Sequence, residues 1–493
     1  MSEAAPLFLG VNPAGEVVQQ LPRQGNRHGL IAGATGTGKT ITLQVLAEGF
    51  SALGVPVLAA DIKGDLCGIG AVARPHPKID ERLARMPGLA YTPRAVPLAL
   101  WDLYGETGIP IRATVSELGP LLLTHLLELN DTQSGVLYAA FKVADDQGLL
   151  LLDLEDLRSL LSFVADNAKS LRDYGHITGA SVAAIQRGLL VLAEQGGDRF
   201  FGEPALALDD LLHRDAAGFG VVNLLDATRL INQSPRLYAC FLLWLMAELF
   251  EQLPEVGDPE VPRLVIFFDE AHLLFSQASK TLIERIEQVV RLIRSKGVGV
   301  YFVTQDPSDV PDAVLGQLGL RVQHALRAFT PRDRRTILAT ADNFRPNPDF
   351  STAEVLTTLA TGEALISSLD AKGSPCPVER TLIRPPSSRI GPLTAAEREA
   401  VLGASPMVRR YRDTIDRDSA HEELRRRADA LMVSESEADA APAGEQATAR
   451  SGSGNQRQTL LEAMTKSFAR SVGSALGRKI LRGVMGALLG GRR

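Results

Sequence analysis

The residues best suited to chemistry are the run Gly33-Ala34-Thr35-Gly36-Thr37-Gly38-Lys39-Thr40. In this spacing a glycine-rich loop turns its backbone N–H groups inward onto phosphate oxygens. The preceding HGLIAGA (28–34) reads as an apolar strand and the following ITLQVLAEGF as a helix, whose positive end would face the same phosphates. Lys39 then reaches the β and γ oxygens, and the Thr40 hydroxyl is placed for Mg2+. The expected ligand is a nucleoside triphosphate.

Such a site needs an acid at the end of a neighbouring strand, and RLVIFFDEAHLLF supplies two. Five apolar residues, Leu264 to Phe268, precede Asp269 and Glu270. Asp269 would hold Mg2+ through water, and Glu270 would polarise the attacking water, because γ-phosphoryl transfer depends on a positioned nucleophile. A third strand, GVGVYFVTQ (297–305), ends in Thr304-Gln305 and would set a polar amide beside the γ-phosphate. No N-K-x-D loop of the GTPase kind occurs, and nothing signals the acceptor pocket of a small-molecule kinase. The paired acids point to an ATPase with a catalytic glutamate.

These residues must be carried by a sheet. Besides the strands named, VPVLAADIK (55–63), GFGVVNLLDA (218–227) and GEALISSL (362–369) are short apolar runs, each followed by a turn or a helical stretch. Continuous apolar strands alternating with helices require a mainly parallel sheet covered on both faces, so the fold class is α/β. Residues 1–95 and 201–394 form the expected core. Residues 96–200 read as an insertion, opening with a strand-like pair and continuing as helices, with Asp153 and Asp156 spaced as a cap. A helical extension follows over 395–432. Residues 433–456, rich in Ser, Ala, Gly and Glu, read as a disordered linker.

From Arg457 to Arg493 the charge changes sign, with eight basic residues against one acid. An apolar row at every fourth position from Met464 to Leu488 lies opposite Lys466, Arg470, Arg478 and Arg482. This is the pattern of a basic amphipathic helix. Anionic membrane, a partner groove, an anionic polymer and packing within an oligomer all fit it.

Composition narrows the class. Of 493 residues, 45% are hydrophobic and 22% charged, which excludes global disorder and fibrous repeats. A net charge of −6 provides no overall field for nucleic acid, so phosphate binding must be local. Cys67, Cys240 and Cys376 are widely separated, suggesting neither a disulfide framework nor a zinc site. No secretory signal is apparent, and the longest apolar run, Tyr238 to Ala247, is about half of the ~20 residues a membrane span requires. The expected location is cytoplasmic.

In that order and at those separations, GATGTGKT, FFDEAH and YFVTQ resemble the HerA/FtsK branch of the RecA-like P-loop ATPases. Longer stretches, among them IEQVVRLIRSKGVGVYFVTQDP and GQLGLRVQHALRAFTPRD, are similar to a bacterial group of HerA-like proteins. The resemblance implies a RecA-like core and a ring, expected to be a homo-hexamer, with ATP and Mg2+ between subunits. Double-stranded DNA is the implied track. A neighbouring subunit must supply a cation to the transferring phosphoryl group, and Arg294 and Arg327 are the candidates. Asp61 and Lys63 fall on the nucleotide-facing edge. The P-loop starts at Gly33, so the β-barrel that usually precedes the core in such translocases is not expected. The competing reading is a nucleotide-switched scaffold that docks on anionic membrane through its tail.

Overall fold

The computed structural model describes residues 4–86, 88–276, 280–327 and 330–439. The helix Ala420–Asp439 runs into the stretch expected as a linker, because Ala and Glu over 435–439 favour helix. The rest of that linker and the basic segment 457–493 lie outside the described residues.

Twelve strands form one sheet: β1 (Leu7–Val11), β2 (Val17–Gln20), β3 (Gly29–Ala32), β4 (Val57–Asp61), β5 (Leu98–Asp102), β6 (Ile109–Pro110), β7 (Val222–Asp226), β8 (Leu264–Phe268), β9 (Val298–Thr304), β10 (Leu320–His324), β11 (Glu363–Ser367) and β12 (Glu379–Ile383). Their order across the sheet is β2-β1-β12-β11-β10-β3-β9-β8-β4-β7-β5-β6. From β10 to β6 every neighbour is parallel. The other four strands extend this sheet in antiparallel fashion. The fold is therefore α/β with a mainly parallel sheet of the RecA-like kind. β3, β4, β8 and β9 are buried at every position, which explains their uninterrupted apolar sequences.

The chain divides into two compact units, one of residues up to Ile111 with Leu206–Asp413, the other of Arg112–Ala205 with the chain from Thr414 on. The strand pair expected to open the insertion belongs to the first. β5 pairs with β7 and β6 with β5, both in parallel, so the pair extends the main sheet instead of forming a hairpin. Apolar character alone could not separate these arrangements. The second unit is helical: α3 (Val115–Leu126), α4 (Asp131–Gln147), α5 (Leu154–Asp166) and α6 (Gly179–Leu192), with Ala420–Asp439 packed on α5. Its helices start at strong caps. Asp153 accepts from the N–H groups of Glu155 and Asp156, while Asp156 accepts from that of Asp153.

Three strands of the first unit end on aspartate in register, Asp61 beside Asp226 and Asp226 beside Asp102. Each carboxylate captures the loop that follows it. Asp61 accepts from the N–H groups of Gly64 at 2.7 Å and of Leu66 and Cys67 at 3.1 Å. Asp102 does the same for Tyr104, Glu106 and Thr107. The loops at this edge are thus fixed by hydrogen bonds, and the edge is where the site lies.

Helix α1 (Lys39–Ala52) packs Leu43, Leu46, Ala47 and Phe50 on the face of the sheet formed by Ile31, Val303 and Phe267. It is also strapped from the C-terminal side. Glu48, fully buried, accepts from the backbone N–H groups of Ser387 at 2.9 Å and Ser388 at 2.8 Å, and pairs with Arg384 at 3.2 Å. Gln44 donates to Ser388 Oγ at 2.6 Å. Removing one member of a buried pair leaves an uncompensated charge and orphaned donors, which costs about 3 kcal/mol. Glu48→Ala should lower unfolding stability by about that amount in a denaturant titration. A change within error would show that the strap contributes nothing to the fold.

Candidate nucleotide site

The loop from Gly33 to Gly38 joins β3 to α1 and is suspended between neighbouring strands. Gly33 N–H donates to Thr304 O at the end of β9, at 3.3 Å, and Ala34 N–H to Ala325 O beyond β10, at 3.0 Å. Gly33 has φ +150°, and a Cβ there would lie 2.5 Å from the Cβ of His324. The N–H groups of residues 35 to 38 donate to nothing among the described residues. Open donors at a helix N-terminus are the donor set a phosphate requires, so the loop fits the group the sequence specifies.

Lys39 is 7% exposed and donates to Gly33 O at 2.6 Å and Ala34 O at 3.2 Å. Burial lowers its pKa and the Lys63 charge adds to this, while Glu270 and Asp269 oppose it. Thr40 sits half-buried in the first turn of α1. Behind the loop, buried His324 donates through Nδ1 to Glu363 O at 2.9 Å, so its Nε2 accepts from Thr42 Oγ1 at 2.9 Å. Burial pushes its pKa down to about 4, so the ring is neutral at ordinary pH. Gly362 N–H closes the other side by donating to Thr37 O at 2.9 Å, and Arg82 holds that turn through the carbonyls of Gly362 and Ile383, both at 2.9 Å.

β8 brings the acids to the same edge. Glu270 adopts φ +46°, an uncommon conformation for a side-chain-bearing residue, and its N–H donates to Asp269 Oδ1 at 2.9 Å. Its carboxylate has three neighbours: Lys63 Nζ at 3.7 Å from Oε1, with His272 Nδ1 and Gln305 Nε2 each 3.4 Å from Oε2. Thr35 Oγ1 donates to Gln305 Oε1 at 3.3 Å. Gln305 therefore bridges the loop and the acid pair. Burial, and then the charge of Glu270, raise the pKa of Asp269 to about 6. Among the described residues no cluster of three or more His, Cys, Asp or Glu could hold a metal. Thr40 and Asp269 suit Mg2+, which takes few protein ligands and completes its shell with phosphate and water.

The structure thus brings the loop residues 33–40, Asp269, Glu270 and Gln305 to one edge. Arg327 lies at that edge too, exposed, three residues beyond the end of β10. Arg294 does not join them. It precedes β9, roughly 23 Å of strand away from Gln305, and pairs with Asp258 at 3.0 Å. His324 and Arg82 carried no signal in the sequence, since each acts through a neighbour distant along the chain, whereas His272 lies two residues after Glu270 within FFDEAH.

A family profile described as "Helicase HerA-like C-terminal" matches residues 8–493. The DNA double-strand break repair helicase HerA of Saccharolobus solfataricus is 25% identical over 347 residues, covering 69% of this chain and 61% of that protein. Its counterpart from Sulfurisphaera tokodaii is 32% identical over 104 residues, 21% of this chain and 20% of that protein. The chain therefore spans between about a fifth and three-fifths of the curated relatives it matches. Among solved structures, plasmid coupling protein TrwB with the GTP analogue GDPNP superposes with a TM-score of 0.51 at 14% identity, over 79% of this chain and 93% of that one. The unbound bacterial conjugative coupling protein TrwBdeltaN70 gives 0.50 at 15% identity, over 79% and 92%. These superpositions establish a shared fold.

The raised Asp269 has a measurable consequence. Below about pH 6 it holds a proton and is a poor cation ligand, so the magnesium-dependent part of nucleotide affinity should decline as pH falls from 7 to 5. Binding measured in chelator should change little over that range. Equal pH dependence with and without magnesium would remove Asp269 from the metal site.

Proposed function

The chain belongs to the helicase HerA-like C-terminal family, and from that premise we propose that it is an ATP-hydrolysing ring motor that translocates along double-stranded DNA. One observation carries the reading: phosphate loop, paired acids and Gln305 meet at one sheet edge, with Gln305 touching both Thr35 and Glu270. The open N–H groups of residues 35 to 38 and Lys39 bind the triphosphate. Thr40 and Asp269 would hold Mg2+, which would offset charge on the phosphate oxygens. Glu270 orients and polarises the attacking water, and Gln305 registers the γ-phosphate.

In a homo-hexamer the neighbouring subunit would present a further cation to the phosphates bound at this edge. Arg327 suits that role better than Arg294, because it is exposed at the nucleotide edge and has no partner among the described residues. DNA as the track is supported by the family and by the relatives named for DNA repair. A cytoplasmic location goes with that reading. Among the described residues no helix is long and apolar enough to cross a membrane. Membrane docking through residues 457–493 rests on their basic amphipathic pattern alone, and those residues lie outside the described ones.

Two variants separate binding from chemistry. Lys39→Ala should abolish nucleotide binding, whereas Glu270→Gln should bind ATP normally and hydrolyse it about 100- to 1,000-fold more slowly. Equal loss of affinity in both proteins would refute the role given to Glu270. Duplex DNA should stimulate turnover, with the stimulation falling steeply as salt rises because phosphate contacts release counterions. Turnover indifferent to DNA at low salt would overturn the track.

A further inference from the structure

We propose that Lys63 is a positioning residue for Glu270, fixing the carboxylate that orients the attacking water. This rests on the hydrolytic reading above and extends it to a residue outside the phosphate loop and the acid pair. The two oxygens of Glu270 have separate partners. Oε1 lies 3.7 Å from Lys63 Nζ, while Oε2 is shared by Gln305 and His272 at 3.4 Å each. Without Lys63, Oε1 loses its ion-pair partner among the described residues and the carboxylate is held through Oε2 alone.

The support for Lys63 is itself rigid. β4 pairs with β8 in parallel, with Ala59 opposite Phe267, so the turns that follow the two strands leave the sheet side by side and Lys63 comes within reach of Glu270. The turn bearing Lys63 is held by the three N–H groups that Asp61 accepts, and it passes through Gly64 at φ +75°. Lys39 is committed to the carbonyls of its own loop, which leaves Lys63 as the lysine in contact with Glu270.

Magnitudes separate a positioning role from a structural one. The Lys63 side chain is 45% exposed, and ion pairs so open to water contribute little to folding. Misplacing a reacting group by about 1 Å, in contrast, can cost about 100-fold in rate. Loss of Lys63 should therefore leave the fold intact and show in turnover.

The test uses the full chain with magnesium and ATP, comparing wild type, Lys63→Met, Lys63→Arg, Glu270→Gln and the Lys63→Met/Glu270→Gln pair. Lys63→Met should lower kcat by about 10- to 100-fold, with ATP Kd within about twofold of wild type, and Lys63→Arg should recover most of the rate. In the Glu270→Gln background Lys63→Met should cost nothing more, because both act through one carboxylate. Three results would overturn the proposal: an unchanged kcat, an equal further loss in the Glu270→Gln background, or an ATP Kd weakened as much as kcat, which would make Lys63 a phosphate ligand. Failure of the Lys63 variants alone, with Glu270→Gln behaving as expected, sinks this inference and leaves the hydrolytic reading standing. A wild-type chain that does not hydrolyse ATP sinks both.

Discussion

A loop that must offer its backbone N–H groups to a phosphate cannot use those groups to hold itself together. Among the described residues the N–H groups of 35 to 38 meet no acceptor, so the bonds seen to shape the loop come from outside it or from its carbonyls and side chains. Thr304 and Ala325 take the N–H groups of Gly33 and Ala34, Gly362 donates to Thr37 O, and Thr37 Oγ1 donates back to Ala34 O at 2.7 Å. The rest of the first unit follows from this constraint. β9 and β10 must flank β3, and β10 must end on a residue small enough in reach to sit under Gly33. His324 does so while bonding to both Thr42 and Glu363, which ties the start of α1 to the start of β11.

The acid side of the site is governed by a different requirement. Glu270 follows a fully buried strand and would continue its line out of the sheet. The turn to φ +46° redirects it, and Ala271 N–H then bonds to Val303 O at 2.9 Å, which returns the chain to β9. A conformation of this kind costs of order 1 kcal/mol and persists only where its surroundings impose it. Here those surroundings are Lys63, His272 and Gln305 on the carboxylate and Asp269 on the backbone. The same contacts that restrain the backbone also set the direction of the side chain, so geometry and chemistry are specified together.

Much of this was legible from sequence because buried parallel strands leave a strong signal. β3, β4, β7, β8, β9 and β11 all fall within the apolar runs, and Asp153 with Asp156 marked the start of α5. β1, β2, β10 and β12 were not seen as strands. β10 interleaves Leu320, Val322 and His324 with polar Arg321 and Gln323, all but Arg321 buried, and only five residues of mixed character do not stand out from a loop. The antiparallel pairing of β10 with β11 was equally hidden, since partners some forty residues apart share no local pattern. The same holds for Arg82, whose value lies in three carbonyls brought together from 361 to 383.

The order of events after Gln305 limits where a motor could grip its track. Any movement Gln305 passes on enters residues 306–319 directly, and that stretch contains Asp306, Asp309 and Asp312 but neither Lys nor Arg. Its first turn is clamped, with Thr304 Oγ1 donating to Asp309 at 2.6 Å and Asp306 capping the turn through Ser308 N–H at 2.9 Å. A polyanion is not held by such a segment through side-chain charge. The segment suits transmission instead: a short, capped turn on a buried strand shifts as a unit when its end residue moves. Cations for a nucleic-acid track must then come from elsewhere, and Arg332, Arg334 and Arg335, exposed on the helix Pro331–Asp342, are the nearest set along the chain after Arg327. In the proposed motor, sensing would precede β10 along the chain and gripping would follow it, with that strand, bonded in register to β3, between them.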